Sequence, residues 1–190
     1  MRQFALIATA LSLLAFGASA QEVTFDTSLG SFTIALDAAH APKTVANFLR
    51  YVREKHYDGT VFYRVVPDFV VQAGSYSADG SARETHVPIP LETSSGLKNL
   101  RGTVAMARGG EPATATAEFF INLSDNDSLD PIAGTAPNTT GYAVFGKVVE
   151  GMSVVDAIAR VQLGGGKGPF PPDASPLLPV TINKAVVSAP

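Results

Sequence analysis

The sequence contains no cysteine. That absence excludes disulfide staples, a thiol nucleophile and a lipid anchor carried on a thiol, so stability has to come from a packed core. Charge of one sign is also scarce. The net charge of -3, the pI near 5.5 and the lack of any long like-charge run leave no basic stripe for a phosphate backbone, and nucleic acid is not an expected partner. His40, His56 and His86 fall in no H-x-x-x-H or H-E-x-x-H spacing, so no metal and no cofactor is expected. No G-x-S-x-G occurs, which removes the commonest sign of a serine hydrolase. "GGGKGPF" at 164–170 lacks the first glycine and the Ser/Thr of a phosphate loop and reads as a flexible turn. The N-x-S/T matches at Asn122, Asn126 and Asn138 carry no argument of their own.

What is present is an ordinary globular composition, 46% hydrophobic and 16% charged over 190 residues. The first twenty residues, "MRQFALIATALSLLAFGASA", differ from the rest: one arginine, a short apolar run, then Ala18-Ser19-Ala20. This pattern is that of a cleavable secretory signal over 1–20, with an apolar stretch too short to span a bilayer comfortably. The expectation is therefore an exported, periplasmic chain, or a secreted one where no outer membrane exists, with no membrane contact after cleavage. Residues 21–190 show no repeat and no dividing linker and are expected to form one domain.

Within that region "VTFDTS" and "SFTIAL" alternate as a β-hairpin. In "APKTVANFLRYVREKHYDG", Val45, Phe48, Leu49 and Val52 recur at helical spacing, with Pro42 in the first turn and Asp58-Gly59 as the close. A polar loop is expected from about Ser75 to Asn99, then strands in "GTVAMAR", "EFFINL" and "YAVFGKVV", a short helix in "GMSVVDAIARV" and a last strand in "VTINKAVV". Many short strands with two helices predict a mainly β fold with a closed or sandwiched antiparallel sheet.

The stretch "VFYRVVPDFVVQAG" places Arg64 among apolar residues. Strict alternation would put it on one face with Phe62 and Val66, leaving Tyr63 and Val65 on the other. Such an arginine either lays its stem along apolar surface at a sheet edge or serves a site. Pro67 breaks the ladder, so spacing does not decide whether Arg64 joins Val70 and Gln72.

"FYRVVPDFVVQAG" resembles the F-H-R-V-I-x-x-F-x-x-Q-x-G signature of the cyclophilin peptidyl-prolyl isomerases, and the likeness continues in order through "GLKNLRGTVAMAR", "ATAEFFINLSDNDSLD" and "GYAVFGKVVEGMSVVD". With the hairpin and the "PKTVANF" helix it spans nearly the whole of 21–190, and the bacterial exported type is the nearest likeness. The resemblance implies a closed eight-stranded antiparallel barrel capped by two helices, with a groove on its outer surface. It also implies rotation about X-Pro bonds, a reaction whose barrier is about 18 to 20 kcal/mol and which breaks no bond. On this resemblance Arg64 is the catalytic donor to the prolyl nitrogen. Phe62, Phe120 and Leu129 form the proline pocket with Phe69 and Val70 beside it, and Gln72 orients Arg64. Ala107 and Arg108 offer main-chain groups, and Tyr142 stands near the bound carbonyl side. Phe119 is expected in the core.

The pattern departs at Tyr63, where His is common, and at Glu118, where Gln is usual. A carboxylate there is expected beside Arg64 or Arg108, bracing the guanidinium while weakening its donation. Ser128 replaces the Trp of cyclosporin-sensitive members, so weak cyclosporin binding is expected. The partners implied are proline-containing segments of unfolded or partly folded exported proteins, met by a monomer. A binding module holding such peptides with little turnover is the alternative.

Overall fold

The computed structural model describes residues 20–188, so the expected signal segment lies outside the described residues but for its last position. Its strands are β1 (Glu22–Thr27), β2 (Gly30–Leu36), β3 (Thr60–Val66), β4 (Val70–Ser77), β5 (Thr103–Met106), β6 (Phe119–Asn122), β7 (Val144–Glu150) and β8 (Ile182–Val187). The helices are α1 (Pro42–Arg53) and α2 (Met152–Ala159). The strands form one antiparallel sheet in the order β3-β4-β6-β5-β7-β2-β1-β8. Its two edges meet: Val61 bridges Thr181, and Phe62 N–H donates to the Val180 carbonyl at 2.9 Å. The sheet is thus a nearly closed barrel whose seam is a single bridge rather than a full ladder, which leaves little exposed strand edge there.

Alternation builds the interior. In β1 and β2, Val23, Phe25, Phe32, Ile34 and Leu36 are all buried, and the Phe25 and Phe32 rings stack at 5.2 Å. Helix α1 lays Val45, Phe48, Leu49 and Val52 on the barrel, and Phe48 meets Phe119 edge to face at 5.7 Å. Pro42 starts the helix, as its fixed φ allows. The helix ends at Arg53, not at Asp58-Gly59: Lys55 takes the left-handed conformation at φ 57, and Lys55 and His56 N–H groups close back onto Val52 and Tyr51 carbonyls. The expected polar loop also begins later than Ser75, because β4 runs on to Ser77 and Tyr76 bridges Ala82.

The segment 164–170 is no loose turn. A Cβ on Gly165 would run into the Pro176 carbonyl oxygen and one on Gly166 into that of Pro171, so only glycine permits this close folding of the chain. The loop then runs along β3, where Val65 N–H donates to the Ala174 carbonyl and Ser175 Oγ to the Tyr63 carbonyl, each at 2.6 Å.

Candidate active site

The position of Arg64 follows from a bulge. Phe62 pairs with Ala73 and Arg64 with Gln72, so two steps along β3 match one along β4, and Tyr63 is the extra residue. The bulge resets the parity of the strand. Phe62 and Val65 both enter the main core, while Tyr63 and Arg64 both stay half-buried outside it. The simple alternation that would put Arg64 on the face of Phe62 therefore fails, and Phe62, 1% exposed, is packed among core aromatics and does not line the groove.

Register carries the arrangement across the sheet. Arg64 stands opposite Gln72, Gln72 opposite Phe120, Phe120 opposite Ala105 and Ala105 opposite Val144, a row across five strands on the barrel's outer face. Val70, Ala105, Ala107, Phe120 and Val144 form an apolar cluster separate from the barrel interior, with Phe69, Leu129 and Tyr142 packed around it. Above it lies a groove of about 180 Å³ lined by Arg64, Phe69, Val70, Gln72, Ala107, Arg108, Phe120, Leu129 and Tyr142. Arg64 Nη1 donates to Gln72 Oε1 at 2.9 Å, and this is the guanidinium's one hydrogen bond among the described residues. Its remaining N–H groups are available to a guest over an apolar floor, where a charged donor acts in reduced dielectric.

The far wall is held by Arg108. Its Nε donates to the Gly141 carbonyl at 2.8 Å and its guanidinium lies 4.9 Å from the centre of the Tyr142 ring, which in turn meets Phe120 edge to face at 5.5 Å. Of the main-chain groups expected to face a guest, the Ala107 N–H is already committed to the Glu118 carbonyl at 2.9 Å.

Glu118 is not where the sequence suggested. Among the described residues it forms no ion pair with Arg64 or Arg108, and it does not line the groove. Strand β6 turns Phe120 outward, and Glu118 sits beyond its start, with its Cα next to Gly74. Its buried Oε1 has no hydrogen-bond partner among the described residues, and its charge lies near enough to the Tyr63 hydroxyl to act on it. Burial, followed by the nearby Glu118 charge, pushes the Tyr63 hydroxyl well above the ordinary tyrosine range.

Residues that the motif reading passed over hold the groove's rim. Asn122, fully buried, donates to Thr103 Oγ1 at 2.9 Å and accepts from Asn126 at 2.8 Å; Asn126 donates also to the Phe69 carbonyl at 2.9 Å. Asn99 donates to the Leu129 carbonyl at 3.1 Å and is itself fixed by Asp130. Asn122 and Asn126 are thus internal struts that fix Phe69 and Leu129. Asn138 accepts from the Thr93 and Ser94 N–H groups at 2.7 and 2.8 Å. An asparagine inside an apolar strand, as in "FFINL", was the available signal, since a buried amide requires partners.

A roomier cavity of about 700 Å³ lies beside Ala20, walled by Leu36, Val45, Leu97 and Val144. Arg64 and Gln72 are not among its lining residues, so the smaller groove is the site with chemistry in it. No group of three metal-ligating side chains occurs among the described residues.

Comparison with known proteins agrees with this geometry. Residues 22–187 match the family model for cyclophilin type peptidyl-prolyl cis-trans isomerase/CLD. The chain is 48% identical to the peptidyl-prolyl cis-trans isomerase cyp18 of Streptomyces antibioticus, covering 87% of this chain and 97% of that protein. It is 42% identical to peptidyl-prolyl cis-trans isomerase A of Dickeya dadantii, covering 98% and 97%. With peptidyl-prolyl cis-trans isomerase B of Escherichia coli it shares 46% identity over 75% and 86%. A crystal structure of a cyclophilin type isomerase from Cryptosporidium parvum superposes with a TM-score of 0.71 over 90% of this chain and 99% of that one; at 22% identity that likeness concerns the fold. The chain belongs to the cyclophilin-type peptidyl-prolyl cis-trans isomerase family. Its activity class is that of an isomerase.

Proposed function

We propose that this isomerase rotates X-Pro bonds in extended segments of unfolded or partly folded exported proteins, acting as a periplasmic monomer after removal of residues 1–20. The observation that carries the reading is Arg64 fixed by Gln72 above an apolar groove. As the amide twists, resonance is lost and the prolyl nitrogen gains a localised lone pair. A guanidinium N–H donated to that nitrogen binds the twisted state more strongly than either planar one, which is what acceleration requires. Bringing a ~100 s step to ~1 ms needs about 7 kcal/mol of such differential stabilisation. Phe69, Phe120 and Leu129 receive the proline ring over Val70. Arg108 and Tyr142 bound the chain before it, where the Ala107 carbonyl, which accepts no hydrogen bond among the described residues, and the Arg108 main chain supply hydrogen bonds. Desolvation of the planar, charge-separated amide by this floor adds a smaller contribution.

Proline-limited refolding of a model protein, followed with wild type and Arg64→Ala, tests the chemistry. Arg64→Ala is expected to lower kcat/KM by about two to three decades, the cost typical of one transition-state donor. A wild type no faster than that variant would reject the mechanism. Fractionation of cells making the full chain, with sequencing of the mature end, tests export: a protein starting at Gln21 outside the cytoplasm is expected, and an uncleaved cytoplasmic chain would contradict it.

A further inference from the structure

The guanidinium of Arg64 can only donate, so the Gln72 atom 2.9 Å from Nη1 has to be the amide oxygen, whichever way an amide is drawn. Gln72 Nε2 then points away from Arg64 and donates to Tyr63 Oη at 2.9 Å. A phenol that accepts there has its own proton to place. Against it stands Glu118, whose buried Oε1 has no hydrogen-bond partner among the described residues. A buried carboxylate oxygen without a donor is costly, and the Tyr63 O–H is the donor at hand.

Resting on the reading of Arg64 as the donor to the prolyl nitrogen, we infer that Tyr63 and Glu118 are positioning residues that fix Gln72, and through it Arg64, by a one-way chain of hydrogen bonds ending on the carboxylate. Guanidinium donates to amide oxygen and amide N–H to phenol oxygen; the phenol O–H turned to the unpartnered carboxylate oxygen completes the chain, so that each bond polarises the next. A phenol keeps its proton at neutral pH in any case, and burial followed by the Glu118 charge raises its hold further. The bulge that makes Tyr63 the extra residue of β3 also brings its hydroxyl to Gln72. Its ring is clamped by Tyr76 at 5.0 Å and Phe170 at 6.1 Å, and its carbonyl by Ser175. The closely folded 164–176 segment is therefore the buttress of the chain. Neither Tyr63 nor Glu118 lines the groove, so their loss belongs in turnover and not in peptide binding.

The test uses the mature protein with Tyr63→Phe, which keeps the ring, Glu118→Leu, Glu118→Gln and the Tyr63→Phe/Glu118→Leu double variant, with Arg64→Ala as control. Tyr63→Phe and Glu118→Leu are each expected to lower kcat about fivefold with KM within about twofold, the scale of one lost hydrogen bond. The double variant should be no slower than the slower single one, because both break the same chain. Glu118→Gln, whose side-chain oxygen still accepts, should stay within about twofold of wild type. The Gln72 side-chain amide resonances should move in Glu118→Leu although the two side chains make no hydrogen bond. Losses that multiply, Gln72 signals that stay put, or a Tyr63→Phe kcat within twofold of wild type would overturn the inference. Should Glu118→Leu fail to fold, Tyr63→Phe with its Gln72 signals decides alone. If Arg64→Ala is inactive while Tyr63→Phe is unimpaired, the chain fails and the isomerase mechanism stands. If Arg64→Ala is as active as wild type, both fall.

Discussion

Ser128 is exposed on a single 3-10 turn, Asp127–Leu129, directly before the groove residue Leu129. A tryptophan there would extend the apolar rim and present an indole N–H to a large cyclic ligand, whereas a serine hydroxyl adds neither area nor a fixed donor. Cyclosporin is accordingly expected to inhibit weakly, with an inhibition constant above the micromolar range, and Ser128→Trp to tighten it; isomerase inhibition titrations on both proteins check this, and submicromolar inhibition of the wild type would contradict it. Nine of the eleven positions that the motif named line the groove. The motif misplaced Phe62 and Glu118. Both errors have one cause: a side chain's face depends on bulges and strand starts, and a motif records order without recording parity.

At the level of elements, the groove is a row of registered residues on β3, β4, β6, β5 and β7, closed at one end by loops that contribute Phe69 and Leu129. Those loops are tied to the strands by the Asn99, Asn122 and Asn126 amides. Asn122→Ala leaves the Asn126 and Asn99 groups short of partners inside the protein, at a cost of about 1 to 3 kcal/mol. It is expected to lower the melting temperature by several degrees and to raise KM more than it lowers kcat, since it loosens the walls and leaves Arg64 in place. Thermal melts and steady-state kinetics on one preparation check both halves. The strands and helices themselves were readable from period-two and period-3.6 patterns. The end of α1 was not, because Lys55 stops it by a left-handed turn that its side chain does not advertise.

Across the whole molecule, His56 joins the end of α1 to β4 through its Nε2 contact with the Gly74 carbonyl at 2.8 Å, its ring beside Tyr51 and Tyr57. Burial lowers its proton affinity below the ordinary histidine value; the Gly74 contact and Glu54 oppose that, and Arg83 and His86 add to it. The unfolded chain thus takes up the proton first. The contribution to stability is complete above about pH 6.5 and is lost as pH falls through the lower folded value. Denaturation midpoints should drop between pH 7.5 and 5, and His56→Gln should flatten that slope; an equal slope in both proteins would remove His56 as its source.

The sequence by itself determined the family, the barrel's strand and helix content and the residue types around Arg64, since these follow from local period and from a motif in chain order. Only the tertiary structure decided which way those residues point. The Tyr63 bulge turns Arg64 out of the core and onto Gln72, and Gly165 and Gly166 allow a distant loop to fold against Tyr63. Glu118 is left near a phenol and, among the described residues, paired with no guanidinium. Those contacts join positions far apart in the chain, and their geometry exists only once the sheet has closed.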